Sequence, residues 1–274
     1  MKQLFALLCA VLALASCTSR QRSLEGYWAQ WDASSIMEDV AGAEEQFSGW
    51  IKLLAKSEQE AVERSVEEFF AAISNDEVAL YVGWEWIMSN LYGLGSTARN
   101  EEAARHFVEL VASNESCPAD LRDEAARLLD ILNHNRCGEK VCDIQIFDTH
   151  GGATTLLNEV DRPTLLMVID TTCPSCVDIM DSVEGSKTVW EASLKGQLDL
   201  LVISLGQSPE EVGKLAESRP SPWRLFCTPF GALHKAHFDT TATPFVLLLD
   251  GRGTVEVGIT RSIDEVATAL KNIE

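Results

Sequence analysis

Between Ser34 and Asn135 apolar residues return at every third or fourth position, with almost no Pro or Gly inside the runs. That spacing gives each segment one apolar face as an α-helix. Val62, Val66, Phe69, Phe70 and Ile73 form one such stripe, Ala103, Ala104, Phe107, Val108 and Val111 a second, and Leu121, Ala125, Leu128, Leu129 and Leu132 a third. Breaks at Asn75-Asp76, Gly93 to Thr97 and Asn114 to Pro118 predict about four or five antiparallel helices. Tyr81, Trp84, Trp86 and Tyr92 supply the large side chains that a bundle core needs, with a pocket lining as the alternative.

Near Gly138 the pattern changes to short apolar runs separated by turn residues, and a second domain begins. Strands are predicted at Ile144 to Phe147, Thr164 to Ile169, Leu198 to Ser204, Pro244 to Asp250 and Thr254 to Ile259. Helices are predicted from Cys173 to Glu184, Glu210 to Ser218 and Ile263 to Asn272. Asp250-Gly251-Arg252-Gly253 between the last two strands is a hairpin signal. A strand, helix, strand order followed by a hairpin and a closing helix gives a mixed sheet covered by helices. The expected fold class is therefore α+β overall: an all-α domain at 34–136 and an α/β domain with a mixed central sheet at 137–274.

The first residues, MKQLFALLCAVLALAS, place one Lys before an apolar run that ends in small side chains, the pattern of an export signal. The run is short for a membrane span. Leu14-Ala15-Ser16-Cys17 resembles the bacterial lipobox, which implies cleavage of residues 1–16 and acylation of Cys17. Several acyl chains hold a protein firmly on a membrane; soluble secretion after cleavage near Ser16 is the alternative. Residues 17–33 then act as a tether, and the expected location is the periplasmic side of the cell envelope, on the outer rather than the inner membrane.

At 274 residues and 46% hydrophobic, the chain can fill ordinary cores. The formal charge of -20 is spread over both halves, and such a field repels nucleic-acid backbones, so no nucleic-acid partner is expected.

The segment with most chemical content is Leu165 to Cys176, an apolar strand running into Cys173-Pro174-Ser175-Cys176 at a helix start. A thiol at a helix N-terminus is stabilised as thiolate by free backbone N–H groups and by the helix dipole. Pro174 suits the first turn because it has no N–H to leave unpaired. Cys173 is thus the expected attacking thiol and Cys176 the resolving one.

In these features residues 138–274 resemble the thioredoxin-like family, in particular its extracytoplasmic, membrane-tethered thiol-disulfide reductases and peroxiredoxin-like relatives. GEKVCDIQIFDTHGG at 138–152 is similar to that branch's lead-in strand and turn. Thr243-Pro244, about 70 residues after the cysteines, matches the family's cis-proline loop. The resemblance implies that this loop faces the cysteines and offers backbone hydrogen bonds to substrate, which makes Thr243 and Pro244 substrate-binding residues. It also implies disulfide-containing client proteins, an electron-donor protein as partner, and no cofactor. The helical half resembles, in layout, the N-terminal domains that precede thioredoxin-like domains in lipoproteins of Bacteroides-like bacteria.

The chain departs from the family at three points. Thr171 and Thr172 stand where an aromatic residue usually precedes the first Cys, and Met167 stands where thioredoxin has a buried acid. Pro-Ser replaces thioredoxin's Gly-Pro between the cysteines, and family potentials span about -270 to -120 mV, so the motif does not fix the direction of exchange. These departures favour a non-catalytic binding or assembly lipoprotein as the competing reading, since fold does not fix function. Peroxide reduction lacks a placed Arg partner. A permanent Cys173–Cys176 disulfide is a further alternative. No metal site is expected in the chain; at the cysteines His234-x-x-His237 offers only a weak zinc partner.

Of the remaining cysteines, Cys117 and Cys137 flank a helix that holds them almost 30 Å apart by its rise, which excludes a bond between them. Cys137 and Cys142 could form a structural disulfide if Gly138 allows a turn; Cys117, Cys137, Cys142 and Cys227 could equally all be buried thiols, and a second redox pair serving Cys173 is a third reading.

Overall fold

A computed structural model of the chain describes residues 24–29, 31, 33–170, 173–219, 222–241 and 243–271. The N-terminal half contains α1 (Ser35–Glu38), α2 (Val40–Leu54), α3 (Gln59–Ile73), α4 (Glu77–Ile87), α5 (Glu101–Ser113) and α6 (Ala119–Leu132), with a π-helical turn at Met88–Tyr92 closing α4. Asp39, Asp76 and Asn100 cap α2, α4 and α5 by accepting a backbone N–H of the first turn. The apolar stripes meet in one core that contains Val66, Phe69, Ile73, Phe107, Val111 and Leu121. Trp84 lies in that core and Trp86 packs against it.

Two residues of the stretch expected to act as a tether pack into the helical half. Leu24 and Trp28 are buried in the helical core, where Trp28 packs edge-on against Trp50, with centroids 5.4 Å apart, and against Phe69 at 4.8 Å. Burial of an indole removes 150–250 Å² of largely apolar surface from water, roughly, which fixes the segment to the bundle. The leader expected at 1–16 and the acylation expected at Cys17 lie outside the described residues. Among the described residues no helix is long and apolar enough to cross a membrane.

The second half is a seven-stranded sheet in the order β2-β1-β5-β4-β3-β6-β7. Its strands are β1 (Gln145–Asp148), β2 (Ala153–Thr155), β3 (Thr164–Ile169), β4 (Asp199–Leu205), β5 (Trp223–Thr228), β6 (Phe245–Leu249) and β7 (Val255–Thr260). β3, β4 and β5 are parallel, and the other neighbours pair antiparallel. Every residue of β3 and β6 is buried, as expected of central strands covered on both faces. Helices α7 (Pro174–Gly185), α8 (Lys187–Leu194), α9 (Pro209–Ser218), α10 (Ala232–Lys235) and α11 (Ile263–Leu270) complete the half. Residues of α7, α8, α9 and α11 share one sheet face with Leu165, Met167 and Ile169, and α10 packs on the opposite face with Leu166 and Val168.

The five strands read from the sequence are present within about one residue at each end. β2, β5, α8 and α10 were not anticipated. Between the halves, residues 138–141 pair with 253–255: the N–H of Gly138 reaches the Val255 oxygen, and the N–H of Val141 reaches the Gly253 oxygen. Gly138, with a φ of 83°, lies in a turn in which the Glu139 N–H donates to the Arg136 oxygen at 3.0 Å, and Cys137 and Cys142 are separate thiols in the structure. Cys117 and Cys227 are buried thiols, Cys142 is half-buried and Cys137 exposed.

Candidate active site

β3 ends at Ile169 and the chain turns through Asp170 into α7, for which Cys173 is the N-cap and Pro174 the first residue. The turn is held by the Cys173 N–H donating to the Asp170 oxygen at 3.0 Å, and by the Cys176 N–H donating to the Cys173 oxygen at 3.1 Å. The two thiols have different surroundings. Cys173 is half-buried, and its sulfur lies 3.0 Å from the Ser175 hydroxyl. Cys176 is 2% exposed, packs with Ile169, Ile179 and Met180, and its sulfur accepts the Asp170 N–H at 3.2 Å.

Thr243–Pro244 is a cis peptide. Antiparallel pairing of Val168 with Phe245 sets Pro244 beside the end of β3, on the sheet edge from which α7 departs. Thr243 and Pro244 are thereby brought to the cysteine end of the sheet. Arg261, one residue beyond β7, donates from Nε to the Pro244 oxygen at 2.8 Å and from Nη2 to the Thr243 oxygen at 3.0 Å. Thr171 and Thr172, the departures that precede the first Cys, lie outside the described residues.

No family model matches the chain, and no curated protein matches it. Among solved structures, a thioredoxin-like protein from Bacteroides caccae superimposes with a TM-score of 0.83 at 16% identity, covering 92% of this chain and 91% of its own. The chain has a thioredoxin-like fold. A thioredoxin domain of a thiol-disulfide oxidoreductase from Bacteroides vulgatus is also similar, at 18% identity and a TM-score of 0.43, over 51% of this chain and 99% of that domain.

Within this thioredoxin-like frame the two thiols have opposite proton affinities. The Ser175 hydroxyl holds the Cys173 pKa below its ordinary value, with help from the Ser175 N–H and the Cys176 thiol. Burial pushes the Cys176 thiol up to about 11, against the smaller effect of the Asp170 N–H. A thiolate is the nucleophile in thiol exchange, so of the two thiols the accessible, acidic Cys173 is the one suited to attack and the sheltered Cys176 the one suited to stay protonated.

Met167 is fully buried on the α7 side of the sheet, and the strand offers no carboxylate there to take the Cys176 proton. The same face carries Ser204, paired across the sheet with Ile169 and Cys227. Its buried hydroxyl has no hydrogen-bond partner among the described residues.

Sequence reasoning missed Arg261, which the β6–β7 hairpin returns to the site. It also missed Asp239, whose carboxylate oxygen accepts the Tyr92 hydroxyl at 2.6 Å and so ties the helical half to the segment before Thr243. No motif signals either residue. Only the pairing of Val246 with Thr260 brings Arg261 next to Pro244.

Proposed function

We propose that this chain is a lipid-anchored thiol-disulfide oxidoreductase of the cell envelope that faces the periplasm and reduces disulfides in client proteins. The observation that carries this reading is the asymmetry between a half-exposed, acidified Cys173 at a helix N-terminus and a buried Cys176 one turn later. The Cys173 thiolate attacks one sulfur of a client disulfide, whose S–S bond breaks and releases a client thiolate. Cys176 then gives up its proton, to that thiolate or to water, and attacks the Cys173 sulfur. The second client thiol leaves, and a Cys173–Cys176 disulfide remains. Two electrons have passed to the client, and a partner dithiol protein must return two to close the cycle. Anchorage rests on the lipobox-like Leu14-Ala15-Ser16-Cys17.

The test is the reduction potential of Cys173/Cys176, measured by equilibrating the purified protein with dithiothreitol or glutathione buffers and alkylating free thiols. A value nearer -270 than -120 mV, roughly, supports a reductase, and a value near the oxidising end assigns disulfide donation instead. In the same assay Cys173→Ser abolishes disulfide reduction, while Cys176→Ser accumulates a mixed disulfide with the client. Turnover that survives Cys173→Ser would overturn the exchange mechanism, and a pair that stays oxidised under strong reductant or never forms a disulfide would favour a binding lipoprotein built on the same fold.

A further inference from the structure

The two halves meet at a cluster of metal-ligating side chains that the proposed exchange chemistry does not use. Asp130 lies near the end of α6, His134 two residues beyond that helix, and His237 just after α10 on the thioredoxin-like side. A nitrogen of each ring and a carboxylate oxygen of Asp130 all fall within 4.8 Å of one another. We propose that these residues bind a divalent transition-metal ion, with zinc the expected occupant, and that the ion cross-links the helical half to the segment leading to Thr243 and Pro244.

The hydrogen bonds around the rings present the right atoms. His134 Nδ1 lies 2.7 Å from the Asp130 main-chain oxygen. A carbonyl can only accept, so in neutral His134 the proton sits on Nδ1 and the Nε2 lone pair is free. A carbonyl fixing the tautomer of a ligating imidazole in this way is the usual outer support of a metal-bound histidine. His237 Nδ1 lies 3.0 Å from Asp130 Oδ2. That gap is the span of two bonds of about 2.1 Å meeting near a right angle, so an ion replacing the shared proton keeps both partners nearly in place.

The imidazoles are stacked, with centroids 3.6 Å apart and planes within 8°. In-plane lone pairs on parallel rings do not converge on one point, so the His134 ring must fan outward to supply the third bond. Rotation of an imidazole about its second torsion is soft; His134 is half-buried at a bend beyond α6, and the one bond that a small rotation lengthens, from Nδ1 to the Asp130 oxygen, is exposed to water that can replace it. Two imidazoles and a carboxylate suit zinc, cobalt or nickel rather than calcium or magnesium. The fourth position is left to water or to His234, which lines the same cleft as Asp130.

His237 has a left-handed backbone, with φ of 57°. It is held there by Asn135, whose side-chain amide donates to the Ala236 oxygen at 3.0 Å and to the His237 oxygen at 3.3 Å. Two donors therefore come from the helical half and one from a backbone that the helical half already positions, so occupancy depends on the docked arrangement of both halves.

The experiment is a Co²⁺ titration of the purified protein carrying Cys173→Ser and Cys176→Ser, which removes the acidified thiol most able to compete for the ion. The expected result is one equivalent bound, with visible d–d bands and no thiolate-to-cobalt charge transfer, displaced by Zn²⁺. His134→Gln and His237→Asn each weaken binding by more than about tenfold, and His106→Gln, whose ring meets Glu67 of α3, leaves it unchanged. Zn²⁺ raises the melting temperature of the parent and not of the two histidine variants, whose metal-free melting checks their folding. Failure to bind one equivalent, affinity unchanged from the parent in both histidine variants, or a charge-transfer band from a remaining cysteine would each overturn the site.

Discussion

Ser175 occupies the position between the two cysteines that faces the attacking sulfur, and its hydroxyl is 3.0 Å from Cys173. A hydroxyl donated to a thiolate stabilises the charged form, which is why Cys173 titrates below its ordinary value. Only the thiolate reacts, so the alkylation rate of Cys173 rises with pH and levels off above its pKa. Removing the hydroxyl in Ser175→Ala moves that midpoint to higher pH and lowers the rate at neutral pH. Iodoacetamide kinetics from pH 5 to 10, about the range in which thiols titrate, read this directly in a Cys176→Ser background. An unmoved midpoint would assign the low pKa to the helix N-terminus alone. The cysteine pair itself was legible because the motif, the preceding strand and Pro174 are contiguous. The Ser175 contact depends on side-chain rotamers and was not.

The edge of the sheet shows what a linear pattern can and cannot convey. β3 was read residue for residue from its unbroken apolar run, and the β6–β7 hairpin from Asp250-Gly251-Arg252-Gly253. In that hairpin the Asp250 carboxylate accepts the Arg252 and Thr254 N–H groups. Gly253 has a φ of +82°, and a Cβ there would stand 2.6 Å from Leu157. β5 was missed because Trp223-Arg224-Leu225-Phe226-Cys227-Thr228 interleaves polar residues and follows two prolines, although it pairs with β4 over six positions. The same hairpin delivers Arg261 to the Thr243 and Pro244 carbonyls. Arg261→Ala removes both bonds and loosens the loop, and each bond contributes about 0.5–1.5 kcal/mol. The expected outcome is a several-fold higher KM for a protein disulfide with kcat nearly unchanged, partly restored by Arg261→Lys. Steady-state kinetics with a reduced-client readout decide it, and an equal loss in kcat would show that Arg261 acts on the chemistry instead.

At the scale of the whole molecule, the N-terminal half is docked against the chain that leads into the active site. The change from helices to strands after Leu132 was legible from the change of periodicity, but the docking was not, because its contacts join residues about a hundred positions apart. His234 and His237 were visible as a pair in sequence, whereas Asp130 and His134 lie across the boundary and pointed to nothing. Asn135 is central to the junction: it is buried, has a φ of 54°, and accepts the Cys142 N–H at 2.7 Å while donating to the Ala236 and His237 carbonyls. Asn135→Ala leaves a buried N–H and two carbonyls without this partner and puts a Cβ-bearing residue with no local hydrogen bond into the left-handed region. The expected loss is roughly 3 kcal/mol. Asn135→Gly keeps the left-handed backbone accessible, so the loss it retains reports the hydrogen bonds together with the added chain entropy of glycine, without backbone strain. Trp28, Trp31, Trp50, Trp84 and Trp86 belong to the helical half, and Trp190 and Trp223 to the sheet half. Tryptophan fluorescence in a urea titration therefore follows mainly the bundle, while far-UV circular dichroism follows both halves. If Asn135 couples the halves, the two midpoints coincide in the parent and separate in Asn135→Ala. Coincident and unshifted midpoints in the variant would mean that the halves are held by the Tyr92–Asp239 contact and the 138–141 pairing without it.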